Sequence, residues 1–207
     1  QNPVDQYYVD VISRMYPSDY TAPLLVNQKN GDNRPIFFCE YAHAMGNSAG
    51  NLKDFWDQWR TTSRIIGGCI WEFKDQGLEK TDSAGVKYYA YGGDYGEKYF
   101  DNFTIKGVVN ADGQPKGVMW ECKRIFQPFE CRWKDWENGI VQIENRSAVQ
   151  NTNSFNPFIT IIEDGREIFN THLRELNIPS GETGTLNIKN YFPKFKPNSE
   201  YFVSIYF

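Results

Sequence analysis

The run Glu40-Tyr-Ala-His-Ala-Met-Gly-Asn-Ser48 delivers a carboxylate and an imidazole directly after the apolar stretch Pro35-Ile-Phe-Phe-Cys39. A carboxylate at the end of a buried strand can attack an electrophilic carbon, take a proton or anchor a cation, and strand ends are where α/β architectures mount such groups. Structural ion pairs use the same placement, so from its immediate neighbours Glu40 is open to both uses. His43 has the same two readings, as a local hydrogen bonder or as a substrate contact. A second run, Gly67-Gly-Cys-Ile-Trp-Glu-Phe-Lys-Asp-Gln76, ends another apolar stretch and presents Trp71, whose indole suits core packing or the apolar face of a sugar ring. A third, Tyr91-Gly-Gly-Asp-Tyr-Gly96, has the composition of a loop.

These runs need elements to hold them. Tyr7–Met15, Pro35–Glu40 and Ile65–Phe73 read as strands, and 17–29 reads as a loop with a short helix. Leu52, Phe55, Trp56 and Trp59 recur at helical spacing and mark an amphipathic helix, with Ser48 as its candidate cap. Gly67-Gly68 allows close backbone approach within the third strand. A long Gly- and Asp-rich loop then leads to a helix carrying Val118, Met119, Cys122, Ile125 and Phe126. Strand and helix alternate, which is the signature of a parallel sheet. Beyond Pro128 the period becomes two: 140–144, 158–162, 167–172, 185–188 and 201–207 are strand candidates, and Asp164-Gly165 is a strong two-residue hairpin turn. The reading is α/β followed by an all-β sandwich, with domains at 1–128 and 129–207 and the second cut short within its last strand.

A net charge of −4 leaves no basic surplus for a phosphate backbone, so nucleic acid is not an expected partner. No apolar run approaches the roughly 20 residues of a membrane-spanning helix. Cys39, Cys69, Cys122 and Cys131 form no Cys-x-x-Cys pair, and no metal-ligand spacing appears. Aromatic residues make up 16% of the chain, a composition compatible with sugar stacking as well as with an ordinary core. The chain starts at Gln1 in mid-structure and reads as a piece of a longer polypeptide. Its compartment stays open.

Taken in order, the three runs resemble the β-galactosidases of glycoside hydrolase family 2, well over Asp10–Phe126 and in pattern alone over the β-rich remainder. The resemblance implies the sixth, seventh and eighth strands of a (β/α)8 barrel, followed by an immunoglobulin-like domain. It implies Glu40 as the nucleophile of a retaining mechanism, and Tyr16 as the hydroxyl that hydrogen-bonds it and helps keep it ionised. It further implies His43 against a galactose hydroxyl, Trp71 as a floor beneath the sugar and Phe103 on a loop at the same pocket. At position 106 the β-galactosidases that the chain resembles place Asn beside a sodium ion, whereas this chain has Lys106 in Thr104-Ile-Lys106. The related β-glucuronidases read a sugar carboxylate with Asn-x-Lys in this loop, so Lys106 is a candidate substrate contact.

The family's acid/base Glu follows an Asn upstream of the nucleophile, and this chain contains no Asn-Glu dipeptide. By resemblance the full-length enzyme uses Mg and Na, while no cofactor is assigned within the chain itself. Three functions stay in play: a segment of a β-galactosidase, a segment of a family 2 exo-glycosidase for acidic sugars, and a non-catalytic carbohydrate-binding piece. The isolated piece is expected not to turn over galactosides. Its open sheet edges make a homo-oligomer a further expectation.

Overall fold

A computed structural model describes residues 5–18, 20–27, 31–98 and 101–207. The chain forms two compact units, 1–126 and 127–207, so the division falls two residues before the boundary read from the sequence.

In the first unit β1 (Ile12–Met15), β2 (Ile36–His43) and β3 (Ile65–Trp71) form a parallel sheet in that order. Between β1 and β2 lies α1 (Thr21–Val26), which buries Ala22 and Leu25. The loop around it, read as 17–29, extends beyond the described residues. The first strand is shorter than the sequence pattern predicts. Ladder bonding begins where Ile12 N donates to the Pro35 carbonyl, and Tyr7 and Tyr8, 92% and 70% exposed, lie in a turn before it.

Connecting β2 to β3 is α2 (Leu52–Trp59), an amphipathic helix that buries Leu52 and Trp59. Ser48 is not its cap. Asn51 holds that position in a left-handed conformation, φ 60°, without a side-chain bond. Ser48 Oγ donates instead to the carbonyls of His43 and Met45, closing the turn that follows β2.

Phe38 stacks on Trp59 with ring centroids 4.9 Å apart, and Tyr41 meets the same indole edge-on at 4.8 Å while its hydroxyl accepts from Trp56 Nε1 at 3.0 Å. Residues three apart in a regular strand face opposite sides. Both reach the helix layer because β2 is irregular: Phe38 pairs with Gly68, but the next β3 partner, Ile70, is opposite Ala42. Bulges of this kind re-aim side chains and recur beside active sites. Gly68 makes room for this one, since a Cβ there would lie 2.8 Å from the Phe38 carbonyl oxygen and 3.0 Å from the Tyr41 ring.

The Gly- and Asp-rich stretch after β3 is not all loop. It holds an antiparallel hairpin, β4 (Leu78–Thr81) with β5 (Lys87–Ala90), whose turn is organised by Asp82 accepting from Ala84 N and Val86 N, both at 2.8 Å. A 3-10 turn at Asp101–Thr104 precedes α3 (Gly117–Phe126). The free edge of β3 and α3 border an apolar groove of about 830 Å³ that includes Cys69, Ile70, Met119 and Trp120. No helix among the described residues is long and apolar enough to cross a membrane.

The second unit holds β6 (Phe129–Asp135), β7 (Ile140–Asn145), β8 (Phe158–Glu163), β9 (Arg166–His172), β10 (Thr183–Asn187) and β11 (Tyr201–Tyr206). They form two antiparallel sheets, β10-β7-β6 and β11-β8-β9. Val141 and Ile143 of one sheet and Ile159 of the other share a core with Leu173, Ile178 and Ile188. Asp164 and Gly165, with φ 47° and 80°, make the β8–β9 turn that their sequence predicts. At the start of β11 the Tyr201 hydroxyl accepts from Lys196 N at 3.0 Å, tying the incoming loop to the strand. β6 escapes the sequence reading.

Candidate active site

The sequence-selected side chains lie in the carboxyl-terminal halves of β2 and β3 or on segments that bond to them; β2 runs on to His43, three residues past the strand end read at Glu40. Tyr16 follows β1, where Met15 is in register with Glu40. Its backbone N–H donates to the Glu40 carbonyl, and its phenol donates to Glu40 Oε2, each at 2.6 Å. The backbone bond fixes the register of the two segments, and the phenol bond orients the carboxylate. The cost is a left-handed backbone at Tyr16, φ 46°, uncommon for any residue but glycine. Partial burial, then the hydrogen bond to Glu40 and its charge, pushes the Tyr16 phenol up to about 12, so it stays a donor at neutral pH.

His43 ends β2 opposite Trp71, and Ala44 N donates to the Trp71 carbonyl at 2.8 Å, extending the β2–β3 ladder. Its Nδ1 accepts from Met45 N at 3.3 Å, leaving Nε2 as the donor of the neutral ring. The His43 ring lies 6.0 Å from that of Tyr16, which bonds the carboxylate, and 6.0 Å from that of Phe103. Lys106 joins Phe103 to Trp71: its ammonium lies 5.2 Å from the Trp71 centroid and 4.8 Å from that of Phe103, within a residue only 6% exposed.

The segment carrying Lys106 is pinned on both sides. Glu72 N donates to the Lys106 carbonyl and Val108 N to the Glu72 carbonyl, each at 2.9 Å, while Gln76 N donates to Thr104 at 3.0 Å. Buried Asp75 accepts from Gly107 N and Lys116 Nζ, both at 2.7 Å. A Cβ on Gly107 would overlap Lys74 and Asp75 backbone, so only glycine permits this approach. Asp75 and Glu72 are the positioning residues that the sequence reading left without a role. Their signal was the run Trp71-Glu-Phe-Lys-Asp75 itself, which places two carboxylates just beyond a strand end. Asp94 serves its own turn, accepting from Tyr91 N at 2.7 Å.

Among the described residues no group of three or more His, Cys, Asp or Glu could hold a metal ion. A sodium ion does not fit beside Lys106 either, since the buried ammonium brings a like charge to that place.

Residues 1–131 match the family model for the TIM barrel domain of glycosyl hydrolases family 2. A β-galactosidase of Priestia megaterium is 34% identical over 194 residues, covering 92% of this chain and 18% of that protein. One of Vibrio cholerae is 44% identical over 100 residues, or 48% of this chain and 10% of that protein. A crystal structure of a Bacteroides uniformis β-glucuronidase aligns over 95% of this chain and 26% of that one, at 14% identity and a TM-score of 0.34. The chain thus spans less than a fifth of the curated relatives it matches. With the family model covering well over half of its length, this chain belongs to glycosyl hydrolases family 2.

Proposed function

We propose that this chain is the sixth-to-eighth-strand part of a (β/α)8 barrel, followed by an immunoglobulin-like sandwich, from a retaining β-galactosidase whose nucleophile is Glu40. The observation that carries the proposal is the Tyr16–Glu40 hydrogen bond at 2.6 Å, at a strand end walled by His43, Phe103 and Trp71. In the first step a Glu40 oxygen forms a bond to the anomeric carbon as the glycosidic oxygen departs with a proton. In the second, water displaces Glu40 and configuration is retained. The proton comes from a second carboxyl group about 5–5.5 Å from the first. No Asn-Glu pair in this chain offers it, so another part of the whole protein supplies it. His43 Nε2 then donates to a sugar hydroxyl, and the Trp71 and Phe103 rings receive apolar faces of the sugar.

Among the described residues no further strand pairs with the outer edges of β1 and β3, and this, with the apolar groove beside β3, supports the partial-barrel reading, because parallel sheets are normally covered. For the second unit, the support is the arrangement of its two sheets and the Tyr201 hydroxyl accepting a backbone N–H upstream of its strand, as the tyrosine corner of such sandwiches does.

The test is Glu40→Gln in the whole protein, assayed with a nitrophenyl β-galactoside, together with trapping by a fluorinated galactoside. Hydrolysis should vanish in the variant, and the trapped sugar should map to Glu40 in the wild type. A label on another residue would overturn the assignment.

A further inference from the structure

The proposed reaction draws nothing from the second unit, which carries the most exposed indole of the chain, Trp136 at 61%. That unit holds a cleft of about 420 Å3 lined wholly by its own residues. Trp133 and Trp136 enter it from the β6–β7 hairpin, Phe192 and Phe195 from the segment before β11, and Tyr201 from β11 itself. Four of these rings meet edge to face in sequence, Trp133 to Phe192 at 6.1 Å, Phe192 to Phe195 at 5.5 Å and Phe195 to Tyr201 at 4.9 Å. The turn beneath Trp136 is fixed. Asp135 accepts from Asn138 N and Nδ2 at 3.1 and 2.7 Å, Lys189 Nζ donates to the Glu137 carbonyl, and a Cβ on Gly139 would lie 2.6 Å from Lys189 N. Beside the rings the cleft is polar: Ser199 and Lys196 line it, and Glu163 accepts from Lys196 Nζ at 2.8 Å and from the Tyr201 hydroxyl.

We propose that this cleft binds a neutral hexopyranoside unit of an oligosaccharide, an inference that does not depend on the role of Glu40. A pyranose ring presents an apolar C–H face and a rim of hydroxyls. The chain of rings receives the first, while Ser199 and the Lys196–Glu163 pair offer donors and acceptors to the second. The volume of the cleft falls within the roughly 300–1,000 Å3 of small-molecule sites. Its ammonium and carboxylate already offset each other, so a neutral ligand suits it better than an ion. A wholly apolar occupant would take water from that pair and return no bond.

The probe is a sulfur-linked analogue of lactose, which resists hydrolysis, titrated into the whole protein by calorimetry. Trp136→Ala should remove one binding site per chain, weakening it at least about tenfold, while hydrolysis of nitrophenyl β-galactoside continues at the wild-type rate. Binding in W136A that stays within about threefold of wild type at every site overturns the inference and leaves the glycosidase reading intact. A wild-type protein that cleaves no galactoside but still loses a site in W136A overturns the glycosidase reading and supports the cleft. Should W136A fail to fold or lose activity, oxidation of the wild type by N-bromosuccinimide, mapped by mass spectrometry, decides. Protection of Trp136 by the analogue supports the inference. Equal oxidation with and without it, or a Trp136 already shielded by another part of the whole protein, overturns it.

Discussion

Replacing Tyr16 by Phe isolates one atom. The backbone bond from Tyr16 N to the Glu40 carbonyl survives, the ring keeps its place beside His43, and only the 2.6 Å donation to Glu40 Oε2 is lost. A hydrogen bond to an ionised acceptor at this length contributes about 1.5–3 kcal/mol. Tyr16 is 44% exposed, so water at the vacated position restores part of that. With about 1.4 kcal/mol per factor of ten in rate, the expected loss is about 10- to 100-fold. Its place in the cycle also follows. Under the proposed reaction, negative charge leaves Glu40 as the bond to the sugar forms and returns as water releases it, so the phenol assists departure of the carboxylate more than its attack. In the whole protein, Tyr16→Phe should release nitrophenol in a burst followed by slow turnover, with kcat and KM falling together as the glycosyl-enzyme accumulates. Rapid-quench kinetics on a nitrophenyl β-galactoside measures both phases. A kcat within about threefold of wild type, or a loss confined to the burst, would refute the role given to Tyr16.

Two further outcomes concern stability and can be read from denaturant midpoints of this chain. Gly68→Ala should destabilise the first unit by about 1–3 kcal/mol, because its Cβ meets the Phe38 carbonyl oxygen at 2.8 Å and the Tyr41 ring at 3.0 Å within a packed sheet; an unchanged midpoint would mean that the bulge in β2 relaxes freely. Burial pushes the Tyr41 phenol up to about 12 from an ordinary value near 10. The unfolded chain therefore loses this proton first, and stability contributed below pH about 10 is lost as pH rises toward about 12. Tyr41→Phe should flatten that alkaline decline, and an equal decline in the variant would place its origin elsewhere.

Much of the grouping of the candidate site residues was legible because they travel in contiguous runs. Glu40 and His43 share one strand end, Trp71 sits at another, and Phe103 and Lys106 share one loop, so ordering the strands is enough to bring them together. Local signals were equally readable: Leu52, Phe55, Trp56 and Trp59 mark α2, and Asp164-Gly165 marks a turn. Features that depend on distant partners were not. The β2 bulge exists because Gly68 of another strand leaves room for it, and Tyr7–Val11 alternates like a strand but has no ladder partner among the described residues. Ser48 resembles a helix cap in sequence, yet the carbonyls of His43 and Met45 outcompete the helix for its hydroxyl. Two misses had local signals. Asp82-Ser-Ala-Gly85 is turn chemistry between β4 and β5, and Phe129, Cys131 and Trp133 alternate along β6, hidden behind the helix that precedes it.

With the role proposed for Tyr16, its left-handed backbone sets folding against function at a single residue. A left-handed conformation costs a non-glycine residue about 1–3 kcal/mol, and Asn or Gly adopts it more readily than Tyr. Random substitution at position 16 therefore includes changes that relax the chain and at the same time sever the contact with Glu40. A screen that rewarded thermal tolerance alone would drift toward them, accumulating sturdier but idle proteins, so stabilising libraries for this segment should hold position 16 constant.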